Sequence, residues 1–186
     1  MHAADLLTHR AHLTPHREAL LIIETRQRYT YAELNARACR LANHLQTLGV
    51  KKGDRVSILA QNGIETIDLF YGLGKIGAIF APLNWRLTAK ELAYIVNDLE
   101  PSVLLVDPEY VDLACELRET TRVEHTITLE KTALAQATVY ETILQSPATE
   151  PPRPPPTPPP PHKKKKTKPH PPQTTKGQKT PPPKKK

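Results

Sequence analysis

Arg55-Val-Ser-Ile-Leu-Ala60, the helical pattern over Glu65–Ile76, and Ala78-Ile-Phe-Ala-Pro-Leu83 are the stretch that decides the fold class. Two short apolar runs flank a segment whose apolar positions recur every three to four residues, with a break at Asn62-Gly63. The runs do not alternate apolar with polar, so both faces of each strand must be covered. Ser102-Val-Leu-Leu-Val-Asp107 repeats the pattern as an unbroken apolar strand. Between the second and third strands, Thr88 reads as an N-cap with Glu91 at the capping-box position. The helix it opens carries Leu92, Ile95, Val96 and Leu99 and stops before Pro101.

Working outward, Asp5–Leu13 reads as a short helix stopped by Pro15, Ala19–Ile23 as a buried strand and Arg28–Tyr31 as another. Thr30 and Glu33 form a second capping box, opening a helix with Leu34, Ala38, Leu41, Leu45 and Leu48 on one side and Gly49 at its end. Toward the C-terminus, Pro108 starts a helix through Leu117, and His125–Leu129 is the last predicted strand. Strands alternating with helices predict an α/β domain with a mostly parallel sheet and helices on both faces.

Composition divides the 186 residues at about position 146. Residues 147–186 hold 16 of the 20 prolines, 11 of the 26 Lys and Arg residues and a single acid, Glu150, for a net charge of +10. The first 146 carry 15 basic and 18 acidic residues, a net −3, and about 48% apolar residues, the usual globular value. One core is therefore expected over residues 1–146. The tail has only Ala148 to bury, so it is expected to be disordered. The N-terminus has no basic region followed by an apolar run, which argues against a secretory signal. The apolar stretch from Ile64 to Leu83 contains Glu65, Asp68 and Lys75 and is no membrane span. Cys39 and Cys115 make no disulfide framework or zinc site. They read as buried reduced thiols, which points to the cytoplasm.

Few motifs carry chemistry. Gly72-Leu-Gly74-Lys-Ile-Gly77 matches G-x-G-x-x-G, but it ends a helix and precedes a strand, the reverse of the dinucleotide-binding order. Close helix–sheet packing explains it better. His9, His12 and His16 would share a face only on a helix that Pro15 interrupts, and no acid completes a metal shell. G-x-S-x-G and H-E-x-x-H are absent. In the tail, Arg153, Pro156 and Pro159 fit a proline-rich ligand, and Lys163–Lys166 and Lys184–Lys186 fit non-specific binding to polyanions. Without interleaved aromatics, no specific nucleic-acid recognition is expected.

Two stretches resemble the AMP-binding, adenylate-forming acyl-CoA synthetases. One runs from Tyr29-Thr-Tyr-Ala-Glu-Leu34 through Gly49-Val-Lys-Lys-Gly53-Asp-Arg-Val56. The other is Gly72–Pro82 continuing into Leu83-Asn-Trp-Arg-Leu87. The resemblance runs from about residue 5 to about residue 150, and its Asn-Trp-Arg-Leu ending is similar to the fatty-acid and aryl-acid CoA ligases. It implies a reaction of ATP with a carboxylic acid, aided by Mg²⁺, to an acyl-adenylate that coenzyme A then captures. It also implies that this chain is the N-terminal scaffold of such an enzyme, lacking the adenine pocket and the mobile lysine, inactive alone and expected by itself to bind none of ATP, Mg²⁺ and CoA. Arg86 is the one residue it marks near the phosphates of CoA. An exposed Arg paired with a neighbouring acid is the alternative.

The family's phosphate loop reads Tyr-Thr-Ser-Gly-Thr-Thr-Gly-x-Pro-Lys-Gly. Thr174-Thr175-Lys176-Gly177-Gln178-Lys179 resembles a degraded copy, in which Thr174, Thr175, Gly177 and Lys179 stand for the ATP-phosphate residues. Lys176 and Gln178 spoil the convergence of backbone N–H groups that a phosphate cradle needs. From His162 onward every residue except Gly177 is Lys, Thr, Pro, His or Gln, all encodable by A and C alone, as a shifted reading frame would give. A stand-alone α/β domain whose tail binds proteins or polyanions is the alternative reading.

Overall fold

The computed structural model describes residues 5–130, 134 and 137–147. The chain runs α1 (Leu6–Leu13), β1 (Glu18–Leu21), β2 (Arg28–Thr30), α2 (Tyr31–Thr47), β3 (Arg55–Leu59), α3 (Ile64–Ile76), β4 (Ile79–Pro82), α4 (Ala89–Leu99) and β5 (Val103–Val106). A 3₁₀ turn (Pro108–Tyr110), α5 (Val111–Thr120), β6 (His125–Thr128), β7 (Thr138–Val139) and α6 (Tyr140–Leu144) follow. Five strands form one parallel sheet in the order β4-β3-β5-β6-β7, registered by Arg55↔Ile79, Val56↔Val103, Val103↔His125 and Ile127↔Thr138.

β5 shows why the apolar runs mattered. Val103 and Leu105 face one core with Leu41, Leu45, Leu69, Leu73 and Ile143, from α2, α3 and α6. Leu104 and Val106 face a second core with Leu92, Val96, Ala114 and Leu117, from α4 and α5. All four residues are fully buried. The α/β fold with helices on both faces is as the sequence predicts.

Both capping boxes form. Thr30 Oγ1 accepts from the Glu33 N–H at 3.3 Å while Glu33 Oε2 accepts from the Thr30 N–H at 2.7 Å, and Thr88 and Glu91 do the same at 3.4 and 2.9 Å. Each cap is worth about 1 kcal/mol to its helix. At its other end, α4 leaves carbonyls that Arg55 satisfies: Nε donates to the Leu99 carbonyl at 2.6 Å and Nη2 to that of Glu100 at 3.1 Å.

Four expectations need correction. Ala19–Ile23 is not a buried strand of the main sheet. β1 is half-buried and pairs antiparallel with β2 as a separate hairpin, and Ile23 is exposed. β4 is covered less completely than an inner strand, because it lies at an edge of the sheet; Ile79 is 50% exposed. β6 is not the last strand, since β7 and α6 follow. Cys115 is exposed, whereas Cys39 is buried as expected.

Gly72 of the G-x-G-x-x-G stretch serves packing, but of helix on helix. A Cβ on Gly72 would lie 3.1 Å from the Ala38 carbonyl oxygen of α2, and Gly77 ends α3 in the left-handed conformation at φ +73°. On the same face of α3 lies Lys75, whose buried ammonium donates to Asp5 Oδ1 (2.8 Å), Thr8 Oγ1 (2.5 Å) and Asn35 Oδ1 (2.7 Å). All three of its donors are used, and α1 is bound to α2 and α3. Burial alone would raise the Asp5 pKa, but the Lys75 and Thr8 hydrogen bonds hold it below the ordinary aspartate value.

Gly72→Val forces a branched side chain against the α2 backbone. It is expected to lower the unfolding free energy by about 1–3 kcal/mol, measured by urea denaturation of the full chain.

Candidate functional site at the carboxyl edge of the sheet

In an open parallel sheet, ligands bind outside the carboxyl ends of the strands, where successive crossovers leave in opposite directions. Here that point is β3. The chain leaves it for β4 on one side, then returns across it to β5 on the other. The segments after β3, β4 and β5 therefore supply Gln61, Trp85, Arg86, Glu109 and Tyr110 to one edge.

Asn84 begins a tight turn after β4. Its Oδ1 accepts from the Arg86 N–H at 3.1 Å, and its carbonyl accepts from the Leu87 N–H at 3.1 Å. The turn holds the Arg86 guanidinium carbon 4.1 Å from the centroid of the Trp85 ring. Trp85 is half-buried against the core of α4 and α5, as is Tyr110, and their rings stack with centroids 5.9 Å apart. Gln61 Nε2 donates to Glu109 Oε2 at 3.0 Å beside them. Partial desolvation moves the Tyr110 phenol above its ordinary pKa, so it stays neutral at physiological pH. Arg86 itself is exposed, and among the described residues no carboxylate lies within ion-pair distance of it.

A cleft of about 710 Å³ opens at the ends of β5 and β6. Its walls carry Glu65, Asp107, Glu109, Glu130 and Glu141, with Arg37 as the cation. That arrangement repels phosphate. Arg37 is already committed: Nε and Nη2 donate to Asp68 Oδ2 at 2.8 and 2.7 Å, and the Tyr140 hydroxyl donates to the same oxygen at 2.6 Å. Burial pushes the Asp68 carboxyl above its ordinary pKa against the pull of Arg37. Burial and the neighbouring Asp68 push the Tyr140 phenol well up. This cluster ties α2, α3 and α6 together.

Sequence reasoning missed the cluster and the Trp85–Tyr110 stack. Asp68, Gly72 and Lys75 stand at i, i+4 and i+7, a polar stripe on one face of an otherwise apolar helix, and that spacing was the available signal. Thr174, Thr175, Gly177 and Lys179 lie outside the described residues, as does the predicted tail. His12 Nδ1 lies 2.9 Å from the Thr8 carbonyl of its own helix, and among the described residues no three His, Cys, Asp or Glu side chains are grouped to hold a metal.

Residues 7–175 match the model of the AMP-binding enzyme family. The chain belongs to that family. Long-chain-fatty-acid–CoA ligase FadD13 of Mycobacterium tuberculosis is 42% identical over 100 residues, covering 54% of this chain and 20% of the relative. A long-chain-fatty-acid–CoA ligase of Thermus thermophilus is 36% identical over 143 residues, 75% of this chain and 26% of the relative. The structure of a Mycobacterium tuberculosis fatty acyl CoA synthetase superposes with a TM-score of 0.69 at 31% identity, over 80% of this chain and 29% of that one. The chain thus spans a fifth to under a third of these AMP-binding relatives and corresponds to their N-terminal part. No helix among the described residues is long and apolar enough to cross a membrane.

Asp68→Ala leaves the half-buried Arg37 unpaired and is expected to cost about 3–5 kcal/mol of stability, whereas Asp68→Asn costs less. Because the folded Asp68 pKa is raised, the native state holds a proton that the unfolded state has released. Stability should therefore fall as pH rises from the ordinary aspartate range through the raised value. Denaturation midpoints across that range should lose this slope in Asp68→Asn.

Proposed function

We propose that the chain is the N-terminal scaffold portion of an AMP-forming acid–CoA ligase. In that reaction a fatty or aryl carboxylate attacks the α-phosphorus of ATP, giving an acyl-adenylate and pyrophosphate with the help of Mg²⁺. The thiol of coenzyme A then forms the thioester and releases AMP. This chain contributes Arg86 as a contact for the phosphates of CoA. The observation that carries the reading is an exposed guanidinium, without an acid partner among the described residues, held over Trp85 at the carboxyl edge of the sheet. A guanidinium presents planar N–H donors that match phosphate oxygens.

The acidic cleft does not fit the triphosphate of ATP. Thr174, Thr175, Gly177 and Lys179 are assigned to a degraded phosphate loop; the family match reaches Thr174 and Thr175 and ends before Gly177 and Lys179. With Lys176 and Gln178 standing where the family has Gly and Pro, that loop holds no nucleotide, so the 186 residues alone form no acyl-adenylate. The basic tail adds weak, salt-sensitive attraction to polyanions. The free thiols Cys39 and Cys115 suit a reducing cytoplasm.

Two measurements test this. The purified 186-residue chain should show no acid-dependent exchange of labelled pyrophosphate into ATP, and exchange above a no-protein control refutes the inactive-scaffold reading. Contrary to the expectation that the chain by itself holds no cofactor, calorimetric titration with CoA should detect binding that Arg86→Ala weakens about tenfold, the loss of one charge-assisted contact. Attraction through the tail would instead fall with salt and ignore the Arg86 substitution.

A further inference from the structure

We infer that Trp85 and Tyr110 are positioning residues that hold Arg86 in its phosphate-binding orientation; this rests on the reading of Arg86 as a contact for CoA. An exposed arginine ordinarily samples many rotamers, and each must be given up when a phosphate is bound. Arg86 is restrained from two directions. The Asn84 turn restrains its backbone, and its guanidinium carbon lies over the indole of Trp85, the aromatic partner that attracts cations best. Among the described residues the guanidinium makes no hydrogen bond or ion pair, so its N–H donors are open to phosphate oxygens.

The indole is itself held. Trp85 packs on the core of α4 and α5, and Tyr110 stacks on it at a 30° interplanar angle. Tyr110 reaches that place on a stiff turn. Asp107 Oδ1 accepts from the Glu109 N–H at 2.9 Å, the Asp107 carbonyl accepts from the Tyr110 N–H at 2.9 Å, and Pro108 fixes the first φ. A continuous line of contacts thus runs from the buried strand β5 through Tyr110 and Trp85 to Arg86. The two rings are distant in sequence and meet only because β4 and β5 flank β3 in parallel register.

Trp85 is the only tryptophan of the chain, so its emission reports on the stack directly. The test uses the full 186-residue protein, with CoA as the titrant and both Trp85 fluorescence and calorimetry as readouts. Tyr110→Ala is expected to lower the fluorescence anisotropy of Trp85 in the free protein and to weaken CoA binding about two- to fivefold. Tyr110→Phe, which keeps the ring, should restore both. Because Tyr110 acts through Arg86, the double variant Tyr110→Ala/Arg86→Ala should bind CoA no more weakly than Arg86→Ala alone.

If Arg86→Ala leaves CoA affinity unchanged, the reading of Arg86 fails, and the inference with it. If Arg86→Ala weakens binding but Tyr110→Ala does not, or if the two losses add in the double variant, the positioning role alone is overturned. Should Tyr110→Ala unfold, Tyr110→Leu keeps apolar bulk at the core and must give the same non-additive loss.

Discussion

Every side chain of β5 is removed from water, and every backbone polar group along Val103–Val106 must therefore find its partner inside the sheet. That single requirement organises the molecule. It demands a strand on each side, which β3 and β6 supply, and a helical layer over each face. Val103 and Leu105 hold α2, α3 and α6, while Leu104 and Val106 hold α4 and α5. With the strands parallel, the segments leaving β3, β4 and β5 converge on one edge. The Arg86–Trp85–Tyr110 line stands there because the segments after β4 and β5 are delivered to the same place.

The parts of this fold that were legible in the sequence are those settled within a few residues. The Thr30–Glu33 and Thr88–Glu91 boxes are local hydrogen-bond exchanges, and their spacing announces them. The apolar runs of β3 and β5 announce burial on both faces. What escaped depends on distant partners. Ala19–Ile23 is as apolar as β5, yet it pairs with β2 in a hairpin, and nothing within the run reveals which strand it will meet. β7 is two residues long and carries too little pattern to be seen. At the site, resemblance marked Arg86, but neither spacing nor composition links Trp85 to Tyr110, because their meeting is a product of strand order.

The interface between α2 and α3 shows how a weak motif can mislead and still be informative. Gly72 permits the backbones to close, and two polar clusters stand on either side of it: Arg37–Asp68–Tyr140 at one end and Lys75 with Asp5, Thr8 and Asn35 at the other. Ion pairs buried this deeply contribute little net stability over apolar packing of the same shape. They do penalise any sliding of one helix along the other, since a shift of one turn would strand charges away from water. Gly72 sets the distance between the helices, and the flanking charges set their register.

The Lys75 cluster also constrains how this sequence can drift. Asp5, Thr8, Asn35 and Lys75 come from three different helices or their caps, and the ammonium spends all its donors on the other three. Replacing the lysine alone leaves a partly buried carboxylate without its counter-ion, and replacing Asp5 alone leaves a buried ammonium short of one acceptor. Either single step passes through a poorly solvated intermediate, while a concerted exchange for apolar residues need not. These four positions should therefore change together across the lineage of this chain or not at all, so that an inherited covariation would join sites as far apart in sequence as 5 and 75.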